Sequence, residues 1–480
     1  MGHTEAGVAV RAQRHVAPAT RGRGQGLFTV AVLVVVVGGG FALQRGVGVR
    51  TPGRAPAGTS SSGAWFCPHG GGPKEWKATL FLANPGDSPV AVRVTSISVK
   101  KPGSPRSVTV PPQATVSMPV PAKGREASTY VQYFGGWVAA SWVTQGGGGE
   151  IGVGAEPCAS TTAPTWFAPD GTTEKGEDAY LLVMNPFAVD AVFDVVLLTP
   201  KRAPIRSTEL TDRVLRPGKS VAFRLNAFDE GDPAVGAEVD VSLGRVAVSS
   251  MGITRDGGIR DVIGSIETGP RGYLPVGGGA GQSTMDLMVP GDAQADFGAT
   301  LVSGGTPVLA GGLTEASQNP ASAKPYPVTF SGPSSIDVVA QADGSFAASL
   351  RSVGVGNDDG ATAGASAPAS DWVVLPATAG EPARPRIVLV NPGTTSVTLT
   401  LHALVSVGDA PTGDATVSIP AGSVGQVPPG FLEGLHHSAI EIHSSGGDVL
   451  ALAASTSLGV KGLSTYALAM GIAIPSPPGG

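Results

Sequence analysis

The sequence predicts an all-β protein: tandem immunoglobulin-like β-sandwich modules that follow one N-terminal transmembrane helix. Three observations support this prediction. The 480 residues include 70 Gly and 41 Pro and only 14% are charged, a turn-rich composition typical of all-β chains. A long uncharged segment lies near the N-terminus, and a marker in which tryptophan precedes Asn-Pro recurs along the rest of the chain.

The same composition excludes two other glycine-rich classes of protein. With 41% hydrophobic residues and a positive mean hydropathy, the chain is too apolar for wholesale disorder. No Gly-X-Y period runs through it, which excludes collagen. A formal net charge of -5 argues against nucleic acid as a charge-driven partner.

The N-terminal segments indicate export. Residues 1–25 form a basic tail, expected to be cytoplasmic, and residues 26–44 are apolar and just long enough to act as a transmembrane signal anchor. A cleaved signal peptide is the alternative, because small residues occur at Gly38, Gly39 and Gly40. Residues 45–64 resemble a flexible stalk. We therefore expect a single-pass protein of the cell membrane whose bulk is extracytoplasmic.

The chain has two cysteines, Cys67 and Cys158. An oxidising export compartment and an even count predict a disulfide between them. Two free buried thiols are the alternative.

An internal repeat is the strongest pattern in the sequence. Trp65, Trp166 and Trp372 each stand 19 residues before an Asn-Pro turn, and Tyr273 with Val289-Pro290 supplies a degraded copy. The turns are Asn84-Pro85, Asn185-Pro186 and Asn391-Pro392. A second marker begins in phase at Gly136, Gly244, Gly344 and Gly447. The predicted domains are module 1 at residues 65–160, module 2 at 161–269, a degenerate module 3 at 270–353, a linker at 354–370 and module 4 at 371–475.

Each module is predicted to be a sandwich of short strands. In module 1, seven segments between residues 77 and 155 alternate or run apolar between Pro, Gly, Asn and Asp punctuation. That count and spacing are typical of an immunoglobulin-like sandwich. The recurring tryptophans are expected in the cores. A β-propeller made of four paired sheets is the alternative architecture.

Signatures of catalysis or cofactor binding are missing from the sequence, which contains no nucleophile elbow, zinc helix, Walker loop or EF-hand run. We therefore expect no catalytic residue, cofactor or metal. His437, Glu441 and His443 would share one face of a strand and could ligate a metal, but a polar solvent face is the simpler interpretation. Asp358 and Asp359 are expected in a solvated linker loop, and a hydrolase built on dispersed acids is a less favoured alternative.

Module 1 holds an unusual share of the aromatic residues. Trp76 and Trp137 have no counterparts in the other modules, and with Tyr130 and Tyr133 they could form an exposed platform for a sugar ring or a protein partner. A larger local core is the alternative, and Trp142 fits either interpretation.

These features carry a resemblance to a known family. The basic tail, the single span, the Trp65–Pro68 opening, the Trp166–Thr172 run and the Asn-Pro repeats resemble a family of actinobacterial membrane-anchored extracytoplasmic proteins with no assigned activity. The resemblance covers most of residues 27–475 and implies location and fold, but no functional residue. We expect a non-enzymatic scaffold or partner-binding ectodomain of the cell envelope, with an envelope protein or polysaccharide as partner. Glycan binding through the module 1 aromatics is the alternative.

Overall fold

The computed structural model describes residues 62–474 except residues 101, 256, 304–305, 310–315, 331, 342–343, 355, 357, 379–382 and 459–463. The expected tail, the expected anchor at residues 26–44 and most of the expected stalk lie outside the described residues. The last three stalk residues belong to the first strand, Ser62–Cys67, so that part of the stalk prediction is wrong. Within the described ranges, no helix is long and apolar enough to cross a membrane.

The strands fall into four consecutive sets, one for each module. Module 1 contains β1 (Ser62–Cys67), β2 (Lys77–Asn84), β3 (Val90–Ile97), β4 (Arg106–Val110), β5 (Ala114–Val120), β6 (Ser128–Phe134), β7 (Ala139–Gln145) and β8 (Val153–Pro157). Module 2 contains β9 (Thr165–Ala168), β10 (Glu177–Asn185), β11 (Ala191–Leu198), β12 (Arg213–Leu215), β13 (Lys219–Arg224), a 3-10 turn (Leu225–Ala227), β14 (Gly236–Leu243), β15 (Ala247–Thr254) and β16 (Ile259–Ile263).

Modules 3 and 4 follow the same plan with one extra strand each. Module 3 contains β17 (Arg271–Val276), β18 (Gln282–Val289), β19 (Ala295–Ser303), β20 (Thr306–Leu309), β21 (Ala316–Gln318), β22 (Ser322–Thr329), β23 (Ser334–Ala340), β24 (Ala347–Val353) and β25 (Asp359–Ala363). Module 4 contains β26 (Asp371–Val374), β27 (Ala383–Asn391), β28 (Val397–Ser406), β29 (Ala415–Ile419), β30 (Ser423–Gln426), the short helix α1 (Pro429–Leu432), β31 (Ala439–Ser445), β32 (Leu450–Leu458), β33 (Ser464–Met470) and β34 (Ile472–Ala473).

Every module forms the same two antiparallel sheets. In module 1 the first sheet has the order β1-β6-β3-β4 and the second has the order β5-β2-β7-β8. The orders recur as β9-β14-β11-β12 with β13-β10-β15-β16, as β17-β23-β19-β20 with β22-β18-β24-β25, and as β26-β31-β28-β29 with β30-β27-β32-β33. The prediction of tandem β-sandwich modules is confirmed, and no propeller is identified in the described part of the chain.

The prediction of a linker at residues 354–370 is wrong. Residues 359–363 form β25, which pairs with β24 inside module 3, and Gly360, Ala361 and Thr362 are buried. The small residues have a packing role, because a Cβ at Gly360 would lie 3.2 Å from backbone atoms of Ala467 and Leu468 in β33. A glycine- and alanine-rich composition here reflects close packing and not a mobile connection.

The four modules close into a ring. The last strands of their second sheets, β8, β16, β25 and β33, contact one another in cyclic order. The first and last modules are sealed by a parallel pairing of β28 with β5, at Val405 with Ala114 and Ser406 with Thr115. The equivalent junction between modules 1 and 2 is a parallel bridge between Ser98 and Lys219. The sandwiches therefore pack against one another and are not independent modules joined only by the chain.

The two repeated sequence markers meet in the module cores. Trp65, Trp166 and Trp372 are buried, as predicted. The indole of Trp65 donates to the carbonyl of Val138 at 2.7 Å, and that of Trp372 donates to the carbonyl of Val449 at 2.9 Å. Both carbonyls belong to the second marker, so in modules 1 and 4 the two markers hold one sheet of the sandwich against the other. In module 2 the Trp166 indole is buried in the core but finds no hydrogen-bond partner among the described residues.

The predicted disulfide between Cys67 and Cys158 is confirmed. Its Cα atoms lie 4.6 Å apart across a sequence separation of 91 residues, and both residues are buried. The bond joins the end of β1 to the residue that follows β8, so it fastens together the two ends of module 1.

Candidate functional site

The Asn-Pro turns are structural clamps. Asn391 is fully buried, and its amide nitrogen donates to the carbonyls of Thr395, Ile419 and Pro420 at 2.8, 3.1 and 2.9 Å. Its side-chain oxygen accepts the N–H of Gly393 at 3.0 Å. The clamp therefore ties the turn after β27 to the end of β29 in the opposite sheet.

The same clamp occurs in modules 1 and 2. Asn84 binds the carbonyls of Ser88, Val110 and Pro111. Asn185 binds those of Val189 and Leu215. Pro85, Pro186 and Pro392 follow the clamping residues directly, where their fixed φ suits the turn. The equivalent position of module 3 is Val289, which has no amide group, and this explains why its marker looks degraded.

Replacing Asn391 by alanine is expected to lower the free energy of unfolding by about 2–4 kcal/mol, because three buried carbonyls and one N–H lose their partner. Asn391→Asp should be at least as harmful, since it aims a carboxylate at the same carbonyls. Thr395→Ala is the control, because only the backbone of Thr395 takes part. Urea unfolding measures all three, and an Asp variant as stable as the unaltered protein would refute the clamp.

The predicted exposed aromatic platform is wrong. Trp76, Trp137 and Tyr133 are only 6%, 7% and 6% exposed, and Tyr130 is half-buried. Trp137 packs edge-on against Trp65 at 6.2 Å, and the Tyr130 ring stacks on Phe66 at 5.6 Å. Trp76, Trp137 and Tyr133 thus enlarge the core of module 1, whereas Tyr130 packs against the core of module 2. Large aromatic rings gain most when their apolar area is buried.

The histidine face considered as a metal site is also not formed as predicted. His437 precedes β31, and its ring stacks on Phe81 at 6.4 Å, away from the outward face of that strand. His443 is exposed and its Nδ1 lies 2.5 Å from Asp371. Among the described residues, no group of three or more metal-ligating side chains could hold an ion.

The structure instead brings together a buried polar cluster where the four modules meet, which we name the hub: Trp142, Thr144, Glu156, Asp261 and Thr362. Glu156 of β8 is fully buried, and its carboxyl accepts the N–H of Ile263 at 3.4 Å and of Ala363 at 3.0 Å. The Thr362 hydroxyl lies 3.0 Å from the other carboxyl oxygen.

Thr362 carries this network to the fourth module. Its hydroxyl oxygen accepts the N–H of Met470 in β33 at 3.2 Å. Glu156 in module 1 is thus connected to Ile263 in module 2, Thr362 in module 3 and Met470 in module 4. One carboxyl group links all four modules.

Asp261 of β16 completes the hub. One of its oxygens accepts the Trp142 indole N–H at 3.1 Å and the Thr144 hydroxyl, and the other oxygen is buried with no hydrogen-bond partner. Trp142, whose role the sequence left open, is therefore both a core residue and a hydrogen-bond donor to the neighbouring module.

Charged side chains continue from the hub between modules 2 and 3, and we name them the charged interface: Asp170, Glu177, Arg260, Asp286, Arg351 and Asp359. Arg260 is 1% exposed and pairs with Asp359 and, at 2.9 Å, with Glu177. Arg351 binds Asp286 at 2.6 Å and approaches Asp170 at 3.9 Å. The prediction that Asp358 and Asp359 lie in a solvated loop is therefore wrong. Asp358 is only 4% exposed, and Asp359 pairs with a buried arginine.

Burial shifts the acid–base equilibria of these groups. It raises the pKa of Asp261 to about 7 and that of Glu156 well above its ordinary value, although hydrogen bonds to both carboxyls act in the opposite direction. Burial also raises the pKa of Asp286 to about 6 despite the adjacent Arg351. For Arg260 burial disfavours the charge, but Asp359 and Glu177 outweigh it and raise the pKa of the guanidinium.

The hub and the charged interface both connect neighbouring modules through hydrogen bonds and ion pairs. Their carboxyls face backbone N–H groups and arginines inside a packed junction.

A cavity of about 30 Å³ lies in module 4 beside Leu375, Arg386 and His436. It is large enough for a water molecule, and no hub residue lines it. The sequence signal for the hub was present: charged residues occur within the last strands of modules in a charge-poor chain.

The outer edges of the first sheets are the open part of the ring. The strand at the other edge of each first sheet is covered, because β1, β9, β17 and β26 each bond to the segment that follows the last strand of their module's second sheet. In the described part of the chain, no strand pairs with the outer edges of β4, β12 and β29. Arg106 and Arg213 place a charge on β4 and β12, whereas β29 has five residues and none is charged.

Comparison with known proteins gives one family match. Residues 133–371 match DUF5719, a family of unknown function. The match contains every residue of the hub and of the charged interface, and it ends before β29. No curated protein matches the chain.

Proposed function

We propose that the chain is a non-enzymatic interaction protein of the cell envelope, exported and held at the membrane by residues 26–44, that binds an extended segment of another polypeptide along β29. The observation that carries this proposal is the free, uncharged edge of the five-residue strand β29, whereas β4 and β12 each carry an arginine and β21 is only three residues long. A free strand edge offers a row of backbone N–H and C=O groups, which an added strand satisfies.

The side chains of β29 fit an uncharged partner segment. Thr416 and Ser418 are exposed, whereas Ile419 is buried and Val417 is half-buried beneath the sheet. A partner strand that alternates hydroxyl and apolar side chains would continue both faces of this sheet. The ring supplies a rigid base, since β29 pairs with β28 over five residues and β28 is sealed to module 1.

Site-specific photo-cross-linking in intact cells tests the docking edge. A photoreactive residue placed at Thr416 and, separately, at Ser418 should link to one partner segment at sites two residues apart, because strands pair in register. The same residue at Ser107 on β4 is the matched control and should not link to that segment. Linked sites with no constant register, or equal linking from Ser107, would rule out strand addition.

Thr416→Lys should abolish the cross-link from Ser418, since an edge lysine opposes strand addition. The same substitution should change the free energy of unfolding by no more than about 0.5 kcal/mol.

Membrane attachment is tested separately by deleting residues 26–44 and separating membrane from soluble protein. We expect the unaltered chain with the membrane and the deleted chain in the soluble fraction. An unaltered chain in the soluble fraction would reject the anchor without bearing on β29.

A further inference from the structure

The hub contains two buried carboxyl groups, Glu156 and Asp261, with no positively charged partner among the described residues. No basic side chain of the described residues forms an ion pair with Glu156 or Asp261. The charged group that acts on Glu156 is Asp261, and the one that acts on Asp261 is Asp170 of the charged interface. Asp170 in turn interacts with Arg260, Asp286 and Arg351. Together the two clusters contain six carboxyl groups and only two guanidinium groups, an excess of negative charge in a packed junction.

The two arginines are already engaged. Arg260 lies between Asp359 and Glu177, and Arg351 lies against Asp286 with Asp170 at 3.9 Å. An unpaired buried carboxylate is strongly disfavoured, so the group binds a proton instead. The described residues offer no metal site that could supply the missing positive charge.

We propose that Glu156 and Asp261 carry protons in the closed ring and lose them when the ring opens, so that acid tightens the junction of the four modules and alkali loosens it. The geometry suits protonated groups. A protonated Glu156 can donate to Thr362, whose hydroxyl lies 3.4 Å from the Ala363 carbonyl and can donate there. The backbone N–H groups of Ile263 and Ala363 keep their acceptor in either state.

The sign of the pH dependence follows from linkage. A carboxyl whose pKa is raised on folding contributes stability that is complete below its unfolded value near 4 and is lost as pH rises through its folded value, about 7 for Asp261. Buried His69, whose pKa is lowered to about 4, acts in the opposite direction only up to its unfolded value near 6.5. Above pH 6.5, therefore, His69 no longer opposes the effect of the two carboxyls on stability.

Thermal unfolding and hydrogen exchange between pH 6.5 and 8.5 test the proposal. For the unaltered protein we expect the ratio of folded to unfolded chain to fall as pH rises, by up to about tenfold per pH unit for each proton held only in the fold. Exchange should accelerate first in β8, β16, β25 and β33. Glu156→Gln with Asp261→Asn should flatten the slope, whereas Glu267→Gln with Asp296→Asn, both exposed, should leave it unchanged.

Stability of the unaltered protein that stays constant or rises over this window would overturn the proposal whether or not the variants fold. A double variant that retains the full slope would overturn it too. Because the slope is measured without any partner, failure here is distinguishable from failure of docking at β29.

Discussion

Replacing Glu156 by alanine is expected to lower the free energy of unfolding by about 3–5 kcal/mol. Its carboxyl accepts backbone N–H groups from Ile263 and Ala363 and contacts the Thr362 hydroxyl. Truncation leaves these buried donors unpaired and opens a cavity where the four modules meet. Urea unfolding followed by intrinsic fluorescence and by circular dichroism measures the loss.

Glu156→Gln is the matched control for this prediction. It retains an oxygen that accepts the two N–H groups, and its amide can donate to Thr362, so we expect a loss of only about 1 kcal/mol. If the alanine variant unfolded at the same urea concentration as the unaltered protein, Glu156 would not be the link between modules that its contacts indicate.

Removing the disulfide with Cys67→Ala and Cys158→Ala is expected to cost about 4–5 kcal/mol, because the bond closes a loop of 91 residues in the unfolded chain. The bond also fastens β1 to the end of module 1, beside the point where β8 enters the ring. Loss of the bond should therefore lower the unfolding midpoint of the whole described ring. Thermal and urea unfolding measure the change.

Reduction of the unaltered protein gives an independent measurement of the same effect. A reductant should shift its midpoint by a similar amount and should leave the double alanine variant unmoved, which separates loss of the bond from loss of packing by the two sulfurs. Complete thiol alkylation under the same conditions must accompany the shift. Full alkylation with an unchanged midpoint would show that the bond does not stabilise the ring.

Local and periodic patterns of this sequence were sufficient to predict its modules. Trp65 and Asn84 recur with fixed spacing because each acts within its own sandwich, through contacts repeated in module 4 at Trp372 and Asn391. The pairing of Cys67 with Cys158 was predicted from the even count of cysteines and from the expected export compartment. Each of these features lies within one module, so a single chain segment contains all the residues needed to predict it.

Contacts between modules were not predictable in the same way. Glu156 meets Thr362 across 206 residues, and no local pattern marks such a pair. The small residues of β25 resembled a linker because the same composition suits mobile chain and tight packing alike. Trp76 and Trp137 could not be assigned to surface or core, since the other modules have no tryptophan at the matching positions.

The sequence by itself determined that this protein is a series of all-β sandwich modules with a disulfide in the first, because turn chemistry, strand alternation and repeat spacing are properties of short segments. Only the tertiary structure decided that the modules close into a ring, that the supposed linker contains a strand packed where the modules meet, and that carboxyl groups lie buried at the junction. The physical reason is that burial and desolvation of a side chain depend on which modules surround it, and that is set by contacts between strands far apart in the chain.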